Sequence, residues 1–346
     1  MIYYLLKHGL PLVDLCFLML LSTIITSFIF LYFGIKIINN LKLKQSIRES
    51  GPKTHLLKIG TPTMGGVPII LSVSLNSLFW IQFSQTLFMF LFVFVGFGLI
   101  GFLDDFLKVF LKNPQGLRGK YKYFLLSVIS IILLGWIYYW NPAILKSAWI
   151  IPFFGKLSLG FILVIGAYFV LLGTSNGVNL TDGLDGLVSV PVILSSLVFI
   201  IIAILGLYCA PIYHLSSNFY NNEIIVLFLT SIIGSLLVFL WFNSYPAKIF
   251  MGDVGSLPLG GVLALSSILM SLELLLVLTG IIFVIEACSV MIQLTSKRLF
   301  KRKVFKMAPI HHHFEIAGHS ETKVIMYFWI VSVFASTFGI FGILMR

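Results

Sequence analysis

The chain has 346 residues, 59% of them hydrophobic and only 10% charged, with a mean hydropathy of +1.06. That balance leaves too much apolar surface for a water-facing exterior, and runs of about 20 apolar residues, long enough to span a bilayer, recur along it. The formal net charge of +11 is explained by basic loops drawn to anionic headgroups, without invoking nucleic acid.

The apolar runs are continuous, as in IILSVSLNSLFWI and SVPVILSSLVFIIIAILGLY, whereas membrane strands would alternate over segments of about ten residues. The expected fold is therefore an all-α polytopic membrane protein, a single transmembrane domain over 1–346. In chain order, helices are expected near 12–36, 66–83, 86–103, 122–140, 158–173, 187–208, 222–242, 257–271, 273–296 and 322–344. No basic n-region or A-x-A-like site accompanies the first run, which is read as a retained helix. The joins at 83–86 and 271–273 are inferred mainly from length. Between the fourth and fifth helices, WNPAILKSAWIIPFFGKLSLG reads as a small hairpin. Cys16, Cys209 and Cys288 stand at unrelated spacings in or beside apolar runs, with no metal or redox motif.

Ten spans divide the loops into two alternating sets. One set holds 19 Lys and Arg residues and the other holds 4, which accounts for all 23. Basic residues accumulate on the cytoplasmic side, so both termini are expected outside and the polar loops inside.

The polar motifs follow in chain order. KIGTPTMGG, Lys58 to Gly66, opens the second helix. Pro62 and the paired glycines free backbone N–H groups for a ligand, Lys58 suits a phosphate or a base carbonyl, and Thr63 is a candidate binding residue beside it. A simple helix-start turn is the plainer alternative. GFLDDFLKVF, Gly101 to Phe110, places Asp104 and Asp105 side by side at the end of a span. Such acids cost about 2.5–3.5 kcal/mol each at mid-membrane and less near the interface, so they belong at an aqueous cavity. Asp104 and Lys108 stand at i,i+4 with the acid first, favouring an ion pair. A solvated helix end with one salt bridge is the alternative there.

GTSNGVNLTDGLDGL, Gly173 to Leu187, carries Asn176, Asn179, Thr181, Asp182 and Asp185 among glycines. It lacks the spacing and terminal Glu of a calcium loop. Helix capping by Asn179 or Thr181, with acids in the first turn, explains only part of this set. In WFNSYPAKIFMGDVGSLPLGG, Trp241 to Gly261, Asp253 sits between glycines with little steric cover, as suits a magnesium ligand, or else it is a cap. MAPIHHHFE, Met307 to Glu315, has three consecutive histidines and no nearby Cys, which argues against structural zinc and for hydrogen bonding or charge toward a phosphate. Glu286 and Gln293, seven residues apart, share one side of the ninth helix.

All five motifs fall in the basic set of loops. Aspartates, histidines, lysines and Gly-rich turns without a nucleophile elbow suggest phosphate chemistry with magnesium. KIGTPTMGG, GFLDDFLK, NLTDGLDGL, KIFMGDVGS and APIHHHFE, in this order over nearly the whole chain, closely resemble the phospho-N-acetylmuramoyl-pentapeptide transferase family of the polyprenyl-phosphate N-acetylhexosamine-1-phosphate transferase superfamily. The aspartate motifs indicate the superfamily, while TPTMGG and PIHHHFE point to the muramoyl-pentapeptide branch. His319 departs from the family, which often has a bulky aromatic after that glycine.

The resemblance implies a multi-pass protein of the bacterial cytoplasmic membrane, usually homodimeric and dependent on Mg2+. It implies transfer of a phospho-sugar-peptide from UDP-N-acetylmuramoyl-pentapeptide to undecaprenyl phosphate, giving lipid I and UMP. By the same resemblance Asp253 matches the magnesium ligand, Asp104 and Asp105 the acidic catalytic pair, and His311 the first functional histidine. Lys58, Asn179, Asp182, Asp185, Asn243, Phe250 and His312 match positions around the nucleoside pocket, and Lys108 and Lys120 are expected to add positive charge near the lipid phosphate or leaving group. Direct attack by the lipid phosphate is preferred to a phospho-aspartate route, because a phosphate monoester with a second pKa near 6 scarcely needs a base at pH 7. A sister transferase using UDP-N-acetylglucosamine and a membrane transporter are the competing readings.

Overall fold

In the computed structural model, which describes residues 10–40, 60–111, 116–208 and 222–345, every apolar run expected as a helix is helical. The elements in order are α1 (Leu12–Asn40), α2 (Gly66–Trp80), α3 (Gln85–Val109), α4 (Gly119–Trp140), α5 (Pro142–Lys146), β1 (Trp149–Ile151), β2 (Gly155–Leu157), α6 (Ile162–Thr181), α7 (Ser189–Tyr208), α8 (Asn222–Asn243), α9 (Asp253–Leu269), α10 (Glu273–Thr279), α11 (Ile281–Phe300), α12 (Ile310–Ile316) and α13 (Glu321–Leu344). Among the described residues, seven helices are long and apolar enough to cross a membrane, or eight if α10 and α11 form one span. The protein is an all-α multi-pass membrane protein.

Both short joins are real breaks. Ser84 caps α3, its hydroxyl accepting from the Leu87 N–H at 3.2 Å. Ser271, between α9 and α10, adopts φ 55°. The continuous helix expected over 273–296 is instead two, meeting at 84°. Gly280, a poor helix former, is the joint, and its N–H still reaches Leu276 O at 2.8 Å before the chain turns.

The short apolar helix α9 lies deepest. Every residue of α9 from Val254 to Leu269 is buried, as expected of a helix apolar on all sides, and it packs chiefly on α3 and α6. Ser175 Oγ on α6 donates to Leu257 O of α9 at 3.0 Å. On the other flank, Ser27 Oγ donates to Ser72 Oγ at 2.8 Å, and the Ser72 and Ser235 hydroxyls lie 3.2 Å apart, joining α1, α2 and α8. Interhelical hydroxyl bonds of this kind satisfy polar groups that lipid cannot.

The expected hairpin is present as the antiparallel pair β1–β2, with Ile150 opposite Lys156. It closes one end of the bundle. Ile150 N–H donates to Ser271 O at 2.9 Å, just beyond α9, and Phe153 N–H donates to Gly342 O at 2.8 Å near the end of α13. Because α9 begins at Asp253 and ends toward this hairpin, the acidic residue stands at the opposite end.

Candidate active site

Close backbone packing creates the site. A Cβ at Gly101 would lie 2.1 Å from Asp253 O, so only glycine lets α3 meet the start of α9. Gly252 adopts φ 75°, a conformation that favours glycine, and a Cβ there would lie 2.4 Å from Asp105 Oδ2 and 3.3 Å from Thr63 Oγ1. The TPTMGG segment runs beside this turn. Phe250 N–H donates to Pro62 O at 2.9 Å, Gly65 N–H to Phe250 O at 2.8 Å and Gly66 N–H to Met251 O at 2.9 Å.

Around Asp253 the side chains converge from four helices. Lys122 Nζ of α4 lies 2.6 Å and Lys108 Nζ of α3 lies 3.3 Å from Asp253 Oδ2. Lys108 also pairs with Asp104 one turn earlier, as the i,i+4 spacing predicts. Asn179 Nδ2 of α6 donates to Asp253 Oδ1 at 2.8 Å and to Ser256 Oγ at 2.9 Å. Asp104 Oδ1 accepts from the Leu117 N–H at 2.7 Å, and Asp105 Oδ2 accepts from the Val254 N–H at 3.1 Å. Carboxylate oxygens from Asp104, Asp105 and Asp253 lie within 4.8 Å of one another. Three acids so close repel, and the two lysines partly offset that repulsion. Just beyond α6, burial pushes the Asp182 carboxyl well above the usual carboxylate range, and the charges of Asp253 and Asp105 push it further.

The remaining candidates fall in three places. Thr63 is buried beside Gly252. Asn176 bonds within α6, its Nδ2 donating to Leu172 O at 2.8 Å, while the half-buried Phe250 lies on the strip paired with TPTMGG. Asp185 and Asn243 are buried braces: Asp185 Oδ2 accepts from Ala247 N–H at 2.9 Å, and Asn243 links Gly186 N–H (2.9 Å) to Ile249 O (2.7 Å). Lys58 lies outside the described residues.

The histidine segment forms α12 and meets the same loop. A Cβ at Gly183 would lie 2.2 Å from His311 Nε2, so the imidazole rests directly on NLTDGLDGL. His312 Nδ1 is 2.8 Å from Glu315 Oε2, and its ring centroid lies 4.1 Å from that of His311. Gln293 holds the chain leading to α12, accepting from Val304 and Phe305 N–H at 3.0 and 2.9 Å and donating to Phe305 O at 3.0 Å.

Sequence reasoning missed Lys122 and Ser256. Lys120, which it favoured, is exposed on α4, and among the described residues the ion pairs to Asp253 come from Lys108 and Lys122.

A polytopic helical bundle carries at one end a carboxylate–lysine centre whose groups suit phosphate chemistry. Residues 87–271, more than half of the chain, match glycosyl transferase family 4. The chain belongs to this family, and its activity is that of a polyprenyl-phosphate sugar-1-phosphate transferase. That membership sets aside the transporter alternative.

Proposed function

We propose that the protein transfers phospho-N-acetylmuramoyl-pentapeptide from UDP-N-acetylmuramoyl-pentapeptide to undecaprenyl phosphate, forming lipid I and UMP at the cytoplasmic face of a bacterial membrane, as a homodimer. The observation that carries this reading is Asp253 set among Asp104, Asp105, Lys108, Lys122 and Asn179, in a chain that also holds TPTMGG and PIHHHFE.

The donor set fits Mg2+. Three carboxylates within 4.8 Å offer only hard oxygens, and magnesium takes one or two carboxylates together with phosphate oxygens. Asp253, with Asp104 beside it, would hold it, and the chemistry the ion supplies when bound is neutralisation of diphosphate charge.

Lys108 and Lys122 draw the diphosphate to this end of α9 and offset charge on the departing UMP. The acceptor phosphate, with a second pKa near 6, is mostly dianionic at pH 7 and attacks directly. One P–O bond forms to the sugar-bearing phosphorus as the bond to UMP breaks. Asp105, held by Val254 N–H, takes the residual proton when the monoanion reacts.

Purified protein given undecaprenyl phosphate, Mg2+ and either UDP-N-acetylmuramoyl-pentapeptide or UDP-N-acetylglucosamine tests the assignment. UMP is expected only with the first nucleotide, abolished by chelation and lowered about 100-fold or more by Asp253→Asn. Release only with UDP-N-acetylglucosamine would transfer the assignment to the sister activity. A chemically competent phospho-aspartate formed without lipid would overturn direct attack.

A further inference from the structure

Glu286 is fully buried on α11 and lies outside the carboxylate centre. Its two oxygens have separate partners: Oε2 accepts from Ile310 N–H at 2.8 Å, and Oε1 lies 2.9 Å from His311 Nδ1. His311 is 1% exposed, and its other ring nitrogen, Nε2, is buried without a hydrogen-bond partner. That nitrogen rests against Gly183, next to Asp182. A buried imidazole nitrogen is normally satisfied, so one aimed at a substrate loop and left unpaired points to a ligand.

We propose that Glu286 is a positioning residue that fixes His311 as the Nδ1–H tautomer, so that Nε2 presents a lone pair to a hydroxyl or amide N–H of the UDP-linked amino sugar. The tautomer follows from hydrogen-bond accounting. A carboxylate only accepts, so Nδ1 must carry a proton, and on the neutral ring Nε2 is then the acceptor. The orienting contact resembles the carboxylate partners that fix histidines in other catalytic settings. Gln293, two turns along α11, steadies the approach to α12 through residues 304 and 305, leaving Glu286 to set the ring itself. The proposal rests on the transferase reading for its ligand but not for its tautomer.

Glu286→Gln separates the two. Glutamine has one oxygen and one NH2 group. The Ile310 amide can only donate and therefore claims the oxygen. The NH2 then faces Nδ1, which must accept, and the ring proton moves to Nε2. In protein labelled with 15N-histidine, with His311→Asn used for assignment, wild type is expected to show the Nδ1–H pattern and Glu286→Gln the Nε2–H pattern. The variant is expected to raise KM for the UDP-sugar at least tenfold with a smaller change in kcat. If Glu286→Gln does not fold, Gly183→Ala, whose Cβ would lie 2.2 Å from Nε2, is expected to raise KM while keeping the Nδ1–H pattern. An Nε2–H pattern in wild type overturns the proposal, as does a KM unchanged in both variants. Absence of UMP release by wild type beside an Nδ1–H signal strikes the transferase reading and leaves the hold of Glu286 on His311 standing.

Discussion

Lys120 and Lys122 stand two residues apart on α4, so at about 100° per residue they face nearly opposite sides of the helix. Only one can turn inward, and Lys122 does, reaching Asp253 Oδ2 at 2.6 Å, while Lys120 is exposed. Lys122→Met is therefore expected to lower kcat/KM about 100-fold, the scale of losing one donor from a charge-stabilising site. Lys120→Met is expected to stay within about twofold in the same UMP-release assay, because a solvated charge is screened. Equal losses in the two variants would remove the geometric distinction. The acids were legible in sequence because Asp104, Asp105 and Asp253 stand out in a chain only 10% charged. The lysine was not, because orientation alone fills cytoplasmic loops with basic residues and gives each the same signal. Asp185 and Asn243 show a converse limit: their bonds to the backbone of the 243–249 turn have no signature in sequence, where polar residues near a pocket look alike whatever they hold.

At the level of elements, the helices were readable because continuous apolar runs have few other solutions in a membrane. Their joints were less so. The helix expected from 257 starts earlier: α9 begins at Asp253 and runs on through Pro258, Gly260 and Gly261; burial on every side outweighs the helix penalties of Pro and Gly. The 84° bend at Gly280 was invisible because the sequence is apolar on both sides of it. What positions the site is the contact between α3 and α9. Adding a methyl at Gly101 would set a Cβ 2.1 Å from Asp253 O and 2.5 Å from Val254 N. Backbone atoms cannot swing aside, so the helices must part and carry Asp104 and Asp105 away from Asp253. Gly101→Ala is expected to cost about 1–3 kcal/mol by overpacking and about 100-fold or more in turnover, since a shift of about 1 Å in a catalytic group has that effect. Gly135→Ala on α4, with open space around its Cβ, is the control. It is expected to keep full turnover and a melting temperature no lower than wild type, because alanine favours helix over glycine by about 1 kcal/mol. Matching turnover in the two variants would show that the α3–α9 contact does not set the geometry.

Across the whole molecule, chemistry and charge share one end. α9 carries Asp253 at its start, and the hairpin that receives Ser271 and Gly342 carbonyls closes the other end. Between Lys297 and Lys306 the chain holds six basic residues and no acid, and this segment leads into α12, where His311 rests on Gly183. The hairpin end has only Lys146 and Lys156 between α4 and α6. If basic loops mark the cytoplasmic side, the carboxylate centre opens where UDP-sugars are made, and the hairpin faces outward. In a background with Cys16, Cys209 and Cys288 replaced by Ser, single cysteines at exposed Lys156 and Lys301 report the two ends. A membrane-impermeant maleimide is expected to label Lys156→Cys in intact spheroplasts and Lys301→Cys only in inverted vesicles. The reverse pattern would place the acidic centre outside, out of reach of a cytoplasmic nucleotide. It would overturn the proposed reaction without disturbing the helical fold, whose packing is the same in either orientation.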